Sequence, residues 1–332
     1  MSKNNDSVLQ TILTMVGGDE TETALKRRLK KDMKEAAALL TRDQARYLVD
    51  TYYQLQDFRI QGANQVRSLN LDSEPSDLVS YVTGNISVLE DQIKSLMGQF
   101  ASNYALGNWL QSICGIGPVL SAAFLVTFSP LHRRTAGAWY AYAGIAPGIE
   151  WKKGEKRPFD ARAKVFCYKA GESFVKVQNN DADFYGKLFR SQKDFYISKN
   201  EESGFADNAA GKLEKYKIGK TTDAYKAYST GHLPPAHIHA MARRYAVKMM
   251  ISHMHDLAWE DYYGEKAPCP YVFSDKFTGG VHRHFIEPPN RPALTGRSLL
   301  DLWGTEADDL RRKAERLARR AKVTVSETIE VE

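Results

Sequence analysis

Cysteine is scarce: Cys114, Cys167 and Cys269 are all that 332 residues contain, an odd number, widely spaced and without a Cys-x-x-Cys pair. That spacing excludes a disulfide framework and a structural zinc site and points to a reduced, intracellular setting. Long apolar runs are also missing. Nothing approaches the roughly 20 residues needed to span a bilayer, and the opening MSKNNDSVLQ has no apolar signal core, so neither membrane insertion nor secretion is expected. The acids are scattered rather than clustered, which leaves a metal-dependent nuclease without its ligands. No internal repeat and no low-complexity tract is present.

What the chain does contain is enough apolar material for real cores, 43% of residues, and an excess of base, 46 Lys and Arg against 40 Asp and Glu. A formal charge of +6 favours a polyanionic partner, with ordinary solubility charge as the alternative. The periodicity is helical, so the expected fold is mainly α: a helical hairpin or coiled coil followed by a helical domain built on a helix-hairpin-helix.

Residues 1–40 read as a helical arm, with a short apolar helix around Val8 to Val16 and a basic face from Lys26 to Lys31 that either touches nucleic acid or is simply solvated. Thr41 followed by Gln44 is a capping box that starts a long helix. Ala45, Leu48, Tyr52 and Leu55 recur in steps of three and four, Arg59 and Gly62 interrupt that seam, and Val66 and Leu69 resume it. A connector from Asn70 to Asp77 follows. Val79, Val82, Ile86, Leu89, Ile93, Leu96 and Phe100 then hold the rhythm for three heptads. Residues 41–105 therefore form a helical hairpin, and its stripes are either bundle core or a seam between protomers of a homo-oligomer.

The next domain covers residues 106–263. Its centre is Cys114-Gly115-Ile116-Gly117-Pro118, between an apolar helix and one of small and apolar residues. Two glycines allow a tight turn and close backbone approach, Ile116 plugs the core, and the start of the second helix offers free amides and a positive dipole end to a phosphate. Such turns also join helices that bind nothing. Downstream, an aromatic helix at Trp139 to Tyr142 stops at Gly144 and Pro147. Between Trp151 and Lys169 lie seven basic residues, Lys152, Lys153, Lys156, Arg157, Arg162, Lys164 and Lys169, against Glu155 and Asp160, a local charge of +5 that suits a backbone footprint or a solvated loop.

Within this domain, residues 178–232 are polar and read as an insertion of short helices and loops. Pro234-Pro235 opens a late helix with Ile238, Ala242, Tyr245 and Met249 as its buried stripe. Arg243, Arg244 and Lys248 on that helix line either a nucleic-acid groove or a wet face. Residues 264–297 form an irregular arm rich in proline and glycine. Residues 298–332 make a basic terminal helix and tail, in which Arg316, Arg319 and Arg320 belong to a run of seven cations opposed by Glu315 alone between 311 and 322. Three His-x-His pairs, His237/His239, His253/His255 and His282/His284, invite a metal. Residues two apart on a helix diverge by about 200°, so the first two pairs cannot each chelate. Polar surface or RNA-facing histidines is the reading for them, and only His282 and His284, near Cys269, retain a metal option.

Several of these pieces together resemble the C-terminal transposase domain of the DEDD-type insertion-sequence transposases, the IS one-ten family of recombinases guided by a bridge RNA. They are LEDQIKSLMGQF, the hairpin LQSICGIGPVLSAAFL, the YAYAGIAPG turn, the helix after a basic loop, and ARRYAVKMMISHMHDLAWEDYY, covering roughly residues 80–263. The resemblance implies a DNA-binding protein of a mobile element or phage, acting in recombination or transposition in the cytoplasm at the nucleoid, with DNA as partner and a structured RNA beside it. Two departures stand out. Nothing in residues 1–75 offers the β-rich, carboxylate-bearing RNase H-like start of the family. The segment where the family keeps a nucleophilic serine, here 149–162, has no serine or threonine. Ser173 is the nearest substitute, as a nucleophile or as a small polar residue bonded to its own helix backbone. No cofactor is implied by the chain alone, and Mg2+ enters only if a partner's carboxylates complete a site. The alternative is a catalytically inactive scaffold or regulator that kept a transposase fold.

Overall fold

The computed structural model describes residues 31–68, 76–149, 151–268, 286–291 and 296–329, with backbone alone at Lys31, Ser76, Asp77, Arg316 and beyond Ala318. The predicted arm helix at Val8 to Val16, most of the basic face from Lys26, and Leu69, Cys269, His282 and His284 lie outside the described residues, as do the side chains of Arg316, Arg319 and Arg320.

The fold is helical, and among the described residues the only β contact is an isolated parallel bridge between Tyr104 and Arg297. After a short α1 (Lys31–Ala37), the first long pair is α2 (Arg42–Ser68) and α3 (Ser76–Ser102). The predicted capping box starts α2: the Thr41 amide donates to Gln44 Oε1 at 2.9 Å and the Gln44 amide to Thr41 Oγ1 at 3.3 Å. The pair is antiparallel, because Arg59 meets Glu90 at 2.6 Å while Gly62, further along α2, lies beside Thr83, further back on α3. Arg59 and Gly62, the two breaks in the predicted seam, are thus the pairing devices. A Cβ on Gly62 would sit 2.3 Å from Thr83 Oγ1. Burial alone would raise the Glu90 carboxyl, but hydrogen bonding and charge from Arg59 hold it below its ordinary value.

Only the base of this hairpin is buried. Ala45 and Val49 on α2, and Ile93, Met97 and Phe100 on α3, enter the core, whereas Leu78, Tyr81, Val82 and Leu89 are exposed. The base packs on α4 (Ala105–Ser112) and α5 (Pro118–Thr127), and the short α6 (Ala136–Tyr142) follows. α7 (Ala161–Val177) is capped by Asp160, whose carboxylate accepts from the Ala163 amide at 2.8 Å.

Residues 178–232 depart from the expected short helices and loops. They hold a 17-residue helix, α8 (Tyr185–Glu201), then α9 (Ala206–Lys215) and α10 (Asp223–Ser229). α8 buries only Tyr185, Gly186 and Phe189, all in its first turns, so its polar remainder leaves little apolar rhythm to read.

The central rod is α11 (Pro235–Tyr263), 29 residues long. Its buried set is broader than the predicted stripe: Ile238 and Ala242 are buried as expected, Tyr245 and Met249 are half-buried, and Ala246, Met250, Ile251, Met254 and Leu257 carry the core. A rod packed against α8, α7, α6, α4 and α12 has little free face, so one stripe does not describe it. Gly264 ends it in the left-handed region, at φ 71°. The predicted single terminal helix is two, α12 (Leu299–Trp303) and α13 (Glu306–Ile329), broken at Gly304 with φ 72°.

Candidate nucleic-acid interface

The hairpin between α4 and α5 has two unlike ends. At the first, Gly115 has φ 93°, a region that favours glycine. A Cβ there would lie 3.1 Å from Ser173 Oγ and 3.2 Å from Val177 Cγ2, so the close approach this glycine permits is to α7 and not to a phosphate. Ile116 is buried at 4% exposure and plugs the core as expected. At the second end, Gly117 is the N-cap of α5 with φ −87° and ψ 176°, extended backbone open to any residue, and a Cβ there would meet nothing within 4 Å. No side chain caps α5, and Pro118 at its first position has no amide to offer. The Val119 and Leu120 amides are left without intrahelical partners at the positive end of the helix.

That open end forms one wall of a cleft of about 420 Å³ bounded by α2, α3, α5 and α7. Lys94, Lys169 and Lys176 bring three cations to it, and Tyr52, Tyr53 and Tyr168 bring aromatic rings. Lys169 lies 4.3 Å from the Tyr53 ring centroid and 3.4 Å from Gln56 Oε1, which holds its ammonium toward the cleft wall. Lys169, Glu172, Ser173 and Lys176 follow one another on α7 in steps of three, one and three, the spacing of a single helix face.

Glu172 is the one carboxylate in this lining, and it is ion-paired with Arg243 of α11. Arg243 also stacks over the Tyr168 ring at 4.4 Å. Beside it, Arg244 and Lys248 have no carboxylate partner among the described residues. Loss of hydration lowers both proton affinities, with further lowering from Arg243 on Arg244 and from Arg244 on Lys248. Three crowded cations of which only Arg243 is ion-paired are an environment that an anion relieves.

Ser173 lines the cleft, but its Oγ donates to the Gly115 carbonyl at 2.6 Å, tying α7 to the hairpin. Its bond is therefore tertiary, neither the local backbone bond nor the free hydroxyl expected from sequence. The basic loop is a different kind of surface. Lys152, Lys153 and Lys156 are exposed and contribute nothing to the cleft lining, and Arg157 lies 5.2 Å from the Trp151 ring. Arg162 pairs with Asp50 at 3.1 Å, and Lys164 sits 4.3 Å from the Phe159 ring.

Of the four helical histidines, His253 and His255 are buried and not polar surface, while His237 and His239 are half-buried. His253 is buried between the Tyr185 hydroxyl, 2.8 Å from Nδ1, and the Ile286 carbonyl, 2.7 Å from Nε2, and burial lowers its proton affinity. His255 is buried edge-on to Trp139, His237 contacts the Tyr228 hydroxyl, and His239 packs on Phe189. No group of three or more His, Cys, Asp or Glu side chains that could hold a metal occurs among the described residues. None of the described helices is long and apolar enough to cross a membrane.

Sequence reading missed Lys94, Lys176, Tyr53 and Tyr168 as parts of one site. The seven-residue step from Lys169 to Lys176 was the available signal; Lys94 and Tyr53 reach the cleft only through the α2–α3 pairing. Compared with known proteins, the chain matches no family model, no curated protein and no solved structure.

Proposed function

We propose that the protein binds the sugar-phosphate backbone of nucleic acid in the cleft at the start of α5, as a DNA-binding protein of the transposase type acting in recombination or transposition. The observation that carries this reading is the convergence of Lys94, Lys169 and Lys176 on the uncapped first turn of α5, with tyrosine rings alongside. Amides at a helix start and lysines recognise phosphate without regard to sequence, and aromatic rings suit unpaired bases, so DNA with a structured RNA fits the chemistry. The exposed cations of the 152–157 loop and Arg244 of α11 extend the footprint. The exposed apolar outer half of the α2–α3 hairpin supports self-association there.

The engagement of Ser173 with Gly115 favours a binding role over strand exchange by this chain alone, and is the observation behind a second reading as an inactive scaffold derived from a transposase. Fluorescence anisotropy with duplex DNA, branched DNA and RNA over a salt series separates the two. The binding reading expects affinity to fall steeply with salt, and the triple change Lys94→Gln, Lys169→Gln, Lys176→Gln to reduce the log-log slope by about 2–3. Affinity indifferent to both would leave the scaffold.

A further inference from the structure

A second built recess lies away from the cleft, where the start of α2, the returning arm and α13 meet. Arg42, Arg297 and Arg312, drawn from three distant parts of the sequence, line one pocket of about 420 Å³, with Leu40, Tyr104 and Leu302 as its apolar walls. We propose that this pocket binds a terminal phosphate monoester carried on a nucleoside, either a free mononucleotide or the phosphorylated end of a strand. This site is separate from the cleft at α5, shares none of its lining, and does not depend on that assignment.

Three observations carry it. First, each guanidinium is held before any ligand arrives. Arg42 lies over the Trp303 ring at 4.5 Å and Arg297 over the Tyr104 ring at 5.4 Å, while Arg312 donates to the Trp303 carbonyl. Stacked or hydrogen-bonded in this way, the planar forks lose less freedom on meeting a phosphate than solvated side chains do. Second, the two acids of the lining leave the positive charge of its three arginines incompletely answered. The lining carboxylates are Asp43 and Asp301: Asp43 is 77% exposed and meets Arg42 at 3.2 Å, and Asp301 reaches Arg297 only at 4.0 Å while accepting from the Ser298 amide at 3.2 Å. Arg312 Nε is buried with no hydrogen-bond partner, a donor whose bond is unmade. Third, the dimensions and walls exceed what a bare anion needs. A recess of this volume falls in the range of small-molecule sites, roughly 300–1,000 Å³, and its apolar faces suit the sugar and base of a nucleotide while the arginines take the phosphate by paired hydrogen bonds.

The experiment titrates the full chain with a nucleoside monophosphate, an end-phosphorylated oligonucleotide and the same oligonucleotide with a hydroxyl end. The Lys94→Gln, Lys169→Gln, Lys176→Gln background suppresses the cleft. Arg297→Gln, whose side chain is 40% exposed, is the main variant, and Arg297→Lys keeps the charge but not the fork. Thermal unfolding verifies that both remain folded. Binding of the monophosphate that weakens about tenfold in both folded variants supports a free nucleotide as ligand. A preference for the phosphorylated over the hydroxyl end that disappears in both variants supports a strand end. The proposal is overturned if the background chain binds the monophosphate no better than the parent nucleoside and shows no preference for the phosphorylated end, or if neither folded variant changes either measurement.

Discussion

Gly115 and Gly117 stand two residues apart in one hairpin and serve opposite needs. Gly115 takes a left-handed conformation against Ser173 and Val177, so its lack of a side chain serves packing. Gly117 is extended and faces open space, so its lack of a side chain leaves the start of α5 accessible. Together they show that a Gly-x-Gly turn is not a binding device as a whole: one glycine builds the hairpin and the other exposes it.

The sharpest way to break that division is Gly115→Ala. A side chain at positive φ, crowded by α7, is expected to cost about 2–4 kcal/mol in chemical denaturation, with nucleic-acid affinity of the folded fraction retained. If affinity falls and stability does not, the assignment of the two ends is reversed. Gly117→Asp gives the mirror result. Aspartate is a better N-cap than glycine, so stability rises by a few tenths of a kcal/mol, while a carboxylate at the cleft mouth weakens binding by about tenfold. Ser173→Ala removes the bond to the Gly115 carbonyl and is expected to cost about 1 kcal/mol with little change in binding; a loss of affinity as large as that of the lysine triple would place the hydroxyl on the ligand.

A last change marks the pH range in which to compare the two ends. Burial raises the Asp261 carboxyl from 3.8 to about 6, although it accepts from the Leu299 amide at 2.7 Å. The folded state therefore holds its proton more tightly than the unfolded chain, so this group's contribution to stability declines as pH rises from 3.8 through 6. Asp261→Asn keeps an acceptor for Leu299 and is expected to raise stability at neutral pH by on the order of 1 kcal/mol after allowance for partial solvent screening, with the gain vanishing near pH 4. A gain of equal size at both pH values would assign it to packing instead.

Much of the helical framework was legible because its signals are local. Thr41 with Gln44 starts α2, Gly117-Pro118 starts α5, and Gly144 stops α6, each through geometry within a few residues. The cleft was not, since Lys94, Lys169 and Gly117 share no spacing and meet only through helix pairing. Burial of His253 was hidden for the same reason: its two partners, Tyr185 and Ile286, are 68 and 33 residues away. The basic loop was legible as charge but not as geometry: Lys152, Lys153 and Lys156 stand exposed outside the cleft lining, and charge density marks a solvated turn as readily as a binding surface.

The arm that returns after α11 has a bearing on where the chain can be cut. Its Pro289 carbonyl accepts from Trp109 Nε1 at 2.7 Å, Asn290 donates to the Ser112 carbonyl at 3.2 Å, and the Ile286 carbonyl meets His253. Trp109 and Ser112 belong to the helix that leads directly into the Gly115 turn. A chain shortened after Gly264 would keep every residue of the hairpin and the cleft yet strip two buried donors of their acceptors and release the last turn of α4. Such a fragment is a poor test of the cleft, and weak binding in it would report a lost brace and not a wrong assignment.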